Sequence, residues 1–160
     1  VPTTYATTVT APTVAVDVAA AARDHARFGW TVAVTAQGPH LVTDAEVAGI
    51  ELTDALAAGV RRYLRSNNLT GPVLEIRGAG RREIHLVTGA SKARRAIEAL
   101  REAGAIVHVD GAVIPLPSGG GDGPAWGVAP AEARWAPPLV AVAAAVRSAA
   151  RRAKLLGATR

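Results

Sequence analysis

The 160-residue chain contains no cysteine and no methionine. Without thiols it forms neither disulfides nor thiolate metal sites, and nothing in it points to an oxidising compartment. Aromatic residues are scarce, at three Trp, two Tyr and one Phe, so recognition by base stacking would rest on very few side chains. Long apolar runs are missing as well. The most apolar stretch, residues 137–146, is too short to cross a bilayer and runs into a basic segment; no membrane partner is expected. The first residues form a Thr-rich polar tract without the basic start and apolar middle of a secretory signal. Residues 1–13 are therefore read as disordered and the protein as cytoplasmic.

The chain also lacks the acidic pairs that metal-dependent phosphoryl transfer requires. Two or three carboxylates must converge on the metal, and an Asp-x-Asp on one strand achieves this because alternation puts both on one face. No Asp-x-Asp or Glu-x-Glu occurs, and the pair Asp44 and Glu46 lies in a polar turn. Each acid is read as a solvated surface charge. The four histidines are scattered, with no zinc-binding spacing. There is no nucleophile elbow around any serine. No metal, no cofactor and no catalytic residue is expected.

What is present is apolar, small and basic. Apolar residues make up 49% of the chain, mostly Ala and Val, and 160 residues suffice for one core-bearing domain. Charge is divided unevenly. Residues 1–60 carry two basic and six acidic residues, a net −4, whereas residues 61–160 carry sixteen basic and seven acidic, a net +9. A basic half on a small domain fits a polyanion binder, and equally a set of solubilising helix faces.

Periodicity predicts a helix over 14–28, with Thr13 as cap and Asp17 in its first turns, then strands at 30–35 and 40–43 around a turn at Gln37-Gly38-Pro39. A strand at 47–52 precedes a helix capped by Thr53 and ending near Ser66. Strands at 73–77 and 83–88 are joined as a hairpin by Gly78-Ala79-Gly80-Arg81-Arg82. Ser91 is placed to cap a helix over 92–103, and 105–110 and 112–116 read as a strand pair turning at Asp110-Gly111. A Gly-rich loop over 117–124, a short strand at Trp126-Gly127-Val128 and a helix from Pro137-Pro138 to about Leu156 complete the chain. The expected fold is α+β (α/β-like), a mainly antiparallel sheet with about four helices, in one domain over 14–156 with a tail at 157–160.

The strongest candidate surface is nucleic-acid-binding. Arg77, Arg81 and Arg82 surround the glycine turn, Lys92, Arg94 and Arg95 open the next helix, and Arg61, Arg62 and Arg65 end the previous one. Gathered on one side, they would track phosphates. His85 lies mid-strand on the face of Glu83 and Val87, placed either to meet a phosphate or to be partly buried and bonded to a neighbouring strand. Trp126, beside the glycine loop, is the aromatic expected at the surface; Phe28 and Trp30 are expected in the core.

Four segments together resemble the N-terminal domain of bifunctional DNA primase-polymerases. They are Ala20–Val34 with its Gly29-Trp30, the hairpin Glu75–Val87 with Gly78-Ala79-Gly80-Arg81-Arg82 and His85-Leu86, the stretch Gly104–Val128 with Ile114-Pro115-Leu116-Pro117-Ser118 and Trp126, and Pro137-Pro138-Leu139. The resemblance covers about residues 15–150. It implies the archaeo-eukaryotic primase fold in a degenerate, actinobacterial-type form. Active members carry Asp-x-Asp on the strand that corresponds to 48–53, where this chain has Glu51 and Thr53, with His85 as the candidate for the family's histidine. The implied function is a catalytically silent accessory module binding DNA or a nucleotide. Two alternatives remain open: a regulatory module meeting a protein partner or a second copy through its C-terminal helix, and an active nucleotidyltransferase using Glu51, Asp110 or Asp122.

Overall fold

The computed structural model describes residues 13–158, and their side chains from residue 18 onward. The N-terminal tract at 1–12 and the side chains of Thr13 and Asp17 lie outside the described residues. Alternating apolar side chains build a five-stranded antiparallel sheet from β3 (Val47–Thr53), β4 (Val73–Ile76), β5 (Arg82–Thr88), β6 (Ile106–His108) and β8 (Ala125–Val128), in the order β6-β3-β5-β4-β8. A second sheet holds β1 (Thr31–Thr35), β2 (Gly38–Val42) and β7 (Val113–Pro115) in the order β1-β2-β7. The helices are α1 (Thr13–Ala26), α2 (Asp54–Ser66), α3 (Arg94–Glu102), the single turn α4 (Pro130–Ala133) and α5 (Leu139–Gly157). This is the expected α+β, mainly antiparallel class.

The run β3-α2-β4-β5-α3-β6 inserts β5 between β3 and β4, which is the split βαβ arrangement. Its consequence is a sheet covered on both faces. Ala48, Ile50, Leu52 and Val87 point to one side, where they bury with Ala57, Val60 and Leu64 of α2 and Val142, Ala145 and Val146 of α5. Leu74, Ile84 and Leu86 point to the other side and bury with Leu41, Ile114 and Leu116 beside the small sheet. Each fully buried Leu or Ile contributes about 1.5–3 kcal/mol of transfer free energy, so the small-residue core is carried by these larger side chains.

Several local expectations change. Residues 105–110 and 112–116 are not hairpin partners: β6 pairs with β3, whereas β7 pairs with β2 in the other sheet. Asp110 turns the chain with φ +57° and sends it from one sheet to the other. Ser91 is not a helix cap. It sits inside a 3-10 turn, Ala90–Lys92, and α3 starts only at Arg94 without a side-chain cap. Thr53 does occupy the N-cap position of α2, but it too makes no side-chain capping bond.

Two glycines allow the layers to approach. A Cβ on Gly49 would lie 2.4 Å from Ile114 Cδ1 and 2.9 Å from Ile84 Cγ2, between the two sheets. A Cβ on Gly59 would lie 2.7 Å from Ala149 Cβ, between α2 and α5. Overpacking of this kind costs about 1–3 kcal/mol. Gly49→Ala is therefore expected to lower the unfolding free energy by an amount in that range, read as a lower urea midpoint at an unchanged unfolding slope.

Candidate functional site

Alternation along β3 and β5 sorts the polar residues of the central strands onto opposite faces. Glu51 is opposite Ile84 and Ile50 is opposite His85 in the register. Glu51 therefore faces the small-sheet side, and His85 faces the helices with Glu83. Glu51, Thr53 and His85 do not line one cleft.

On the small-sheet side, Glu51 is 8% exposed and both its oxygens are engaged. Arg82 Nη1 donates to Oε1 at 2.6 Å, and His108 Nε2 lies 2.8 Å from Oε2. Far from being a solvated acid, Glu51 ties β3, β5 and β6 together. Thr53 lies exposed at the strand end.

On the helix side, α2 brings Arg61 onto Glu83, forming an ion pair with an almost fully buried carboxylate. Glu83 and His85 are 1% and 2% exposed, so neither a surface charge nor a half-buried histidine describes them. Glu83 Oε2 and both ring nitrogens of His85 have no hydrogen-bond partner. His85 Nε2 lies 3.4 Å from Glu83 Oε2, but this is not an ion pair at neutral pH. Burial first, and the Arg61 guanidinium second, push the His85 pKa from 6.5 down to about 4. These groups line a cavity of about 330 Å³ between α2, β4, β5 and β8, with Arg65 and Arg81 at its edge. Arg81 is bound to Glu75 at 3.0 Å.

The remaining candidate residues separate in space. Arg77 reaches the Gly121 carbonyl at 3.4 Å. Trp126 is half-buried in the second apolar cluster, its ring 6.1 Å from that of Trp30 and 5.9 Å from that of His25, and is not an exposed stacking platform. Phe28, expected in the core, is 45% exposed. Lys92, Arg94 and Arg95 do gather, but with Arg147 of α5 rather than with the hairpin arginines, in a groove between α3 and α5. Arg147 also lines an adjoining groove between α2 and α5 with Tyr63, Arg151 and Arg152. Six cations thus line two grooves that share Arg147, and neither lining contains an acid.

Glu83 and Arg61 were the partners missed from sequence. The Glu83-x-His85 alternation was visible, but nothing local reveals that a helix arginine folds over it. Asp110 and Asp122 are both exposed, in the turn before β7 and in the glycine loop.

The His85 environment generates a pH dependence. Above pH 6.5 the ring is neutral folded and unfolded. As pH falls below 6.5 the unfolded chain takes up a proton that the folded one refuses until about pH 4. Stability attributable to this ring therefore falls on acidification across that window, by on the order of 3 kcal/mol in total. Urea unfolding from pH 7 to pH 4 is expected to show this loss in the parent and not in His85→Phe, so that the stability difference between variant and parent changes across the same window.

No protein-family model, no curated protein and no solved structure matches the chain, so its function is argued from these residues.

Proposed function

We propose that the domain binds the phosphate backbone of a nucleic acid along the grooves that flank α5, and does not transform it. The observation that carries this reading is the set of six exposed cations, Lys92, Arg94, Arg95, Arg147, Arg151 and Arg152, lining two adjoining grooves without an acid. None of the six has an ion-pair partner among the described residues. Self-repulsion in such a strip is relieved by a polyanion, and the release of condensed counterions drives the association. Tyr63 lies in the same strip and is its one aromatic side chain.

The absence of turnover in this reading rests on Glu51. The acid on the strand that the primase-polymerase resemblance would assign to metal binding has its oxygens occupied by Arg82 and His108. Recruiting it to a cation would leave Arg82 without its partner. The resemblance to that family agrees with a nucleic-acid ligand, carried here on the helix layer rather than on the β4–β5 hairpin.

Binding of a fluorescent oligonucleotide at low salt is expected, with log K falling linearly as log salt rises. The triple variant Lys92→Glu, Arg147→Glu, Arg151→Glu should weaken binding by about tenfold or more and shallow the salt slope by roughly one unit per lost phosphate contact. Arg81→Gln, on the opposite flank of α2 and already engaged by Glu75, should change the affinity by less than about twofold. No binding at low salt, or equal loss in both variants, would overturn the assignment.

A further inference from the structure

The cavity between α2 and the β4–β5–β8 side of the sheet has no part in the nucleic-acid reading, and its inner wall is chemically incomplete. Glu83 Oε2 and both His85 nitrogens are buried and unpartnered. Buried polar atoms in folded proteins are almost always satisfied, and each one left bare is destabilising. A carboxylate oxygen accepts only, while a neutral imidazole presents one acceptor and one donor. The three atoms together present two acceptors and one donor, an excess of acceptors that a group rich in N–H or O–H brought from outside would answer.

The mouth calls for the opposite. Arg61 is committed to Glu83 and Arg81 to Glu75. Arg65 is exposed at the cavity edge and has no ion-pair partner among the described residues. The lining thus carries one uncompensated positive charge. The lining also includes the apolar residues Leu64, Val73 and Val128. A volume of about 330 Å³ is at the small end for ligand sites and suits a metabolite rather than a polymer.

We propose that this cavity binds a small organic molecule with an anionic end and a hydrogen-bond-donating head, the head against Glu83 and His85 and the anionic end against Arg65. The anion is a carboxylate or a phosphomonoester, and the head an amine or a set of hydroxyls. Neutrality of His85 supports the arrangement, because a charged ring there would repel an ammonium head.

Calorimetric titration of the full chain with aminohexanoate and with glucosamine 6-phosphate distinguishes the two sources of this chemistry. Hexanoate and inorganic phosphate serve as head-less controls. At least one headed probe is expected to bind about tenfold more tightly than its control. Arg65→Glu, which removes the cation at the mouth, and Thr70→Trp, which fills the lining, are each expected to weaken that binding by about tenfold. Both positions lie outside the buried core, so the fold is retained. No heat with any probe, equal binding of control and headed probe, or binding unmoved by both variants would overturn the proposal. The Lys92, Arg147, Arg151 triple variant should bind the probes as the parent does, which separates failure here from failure of the nucleic-acid reading.

Discussion

The seven-residue antiparallel ladder between β3 and β5 is the constraint on which the rest of the molecule depends. It runs without interruption from Val47 opposite Thr88 to Thr53 opposite Arg82. Because side chains alternate with a strict period of two, this one register decides which polar residues meet. A slip by a single residue would carry Glu83 and His85 to the small-sheet side and deliver Ile84 and Leu86 to Arg61. Both faces are buried, so the register is doubly specified: by α2 and α5 on one side and by Leu41, Ile114 and Leu116 on the other.

The ladder places a buried acid on each face, and the two acids solve the same problem differently. A buried carboxylate is tolerable only when its charge is compensated and its lone pairs are used. Glu51 meets both conditions through Arg82 and His108, drawn from the neighbouring strands, and so behaves as a clasp across three strands. Glu83 meets the first condition through Arg61 but keeps one oxygen bare beside a neutral His85. An interior charge with an unused acceptor is where ligand chemistry is to be sought, whereas a saturated clasp serves the fold.

The cations divide on the same principle. Arginines on the hairpin side lie within reach of sheet acids: Arg81 is held by Glu75 and Arg82 by Glu51. Those of α5 have no such partners, because α5 contains no acid and faces the basic start of α3 across its groove. The +9 half of the chain is thereby separated into a neutralised edge and a free strip. Arg147 is the residue that joins the two grooves of that strip.

Local chemistry by itself determined much of this protein. The absence of sulfur, the small-residue core, the hairpins at 30–43 and 73–88, the glycine-stopped helices and the basic second half follow from composition and from periods of 2 and 3.6, which act over a few residues. Tertiary structure decided what lies between distant segments. It sent β6 and β7 to different sheets, buried Glu51 and Glu83 that the sequence presents as ordinary acids, turned Trp126 inward onto Trp30, and set Lys92, Arg94 and Arg95 against α5 instead of against the hairpin. The physical reason is that burial and charge compensation are properties of the partner. An acid at a strand position is solvated or interior according to whether a helix many residues away carries an arginine at the turn that crosses it, and no local pattern records that crossing.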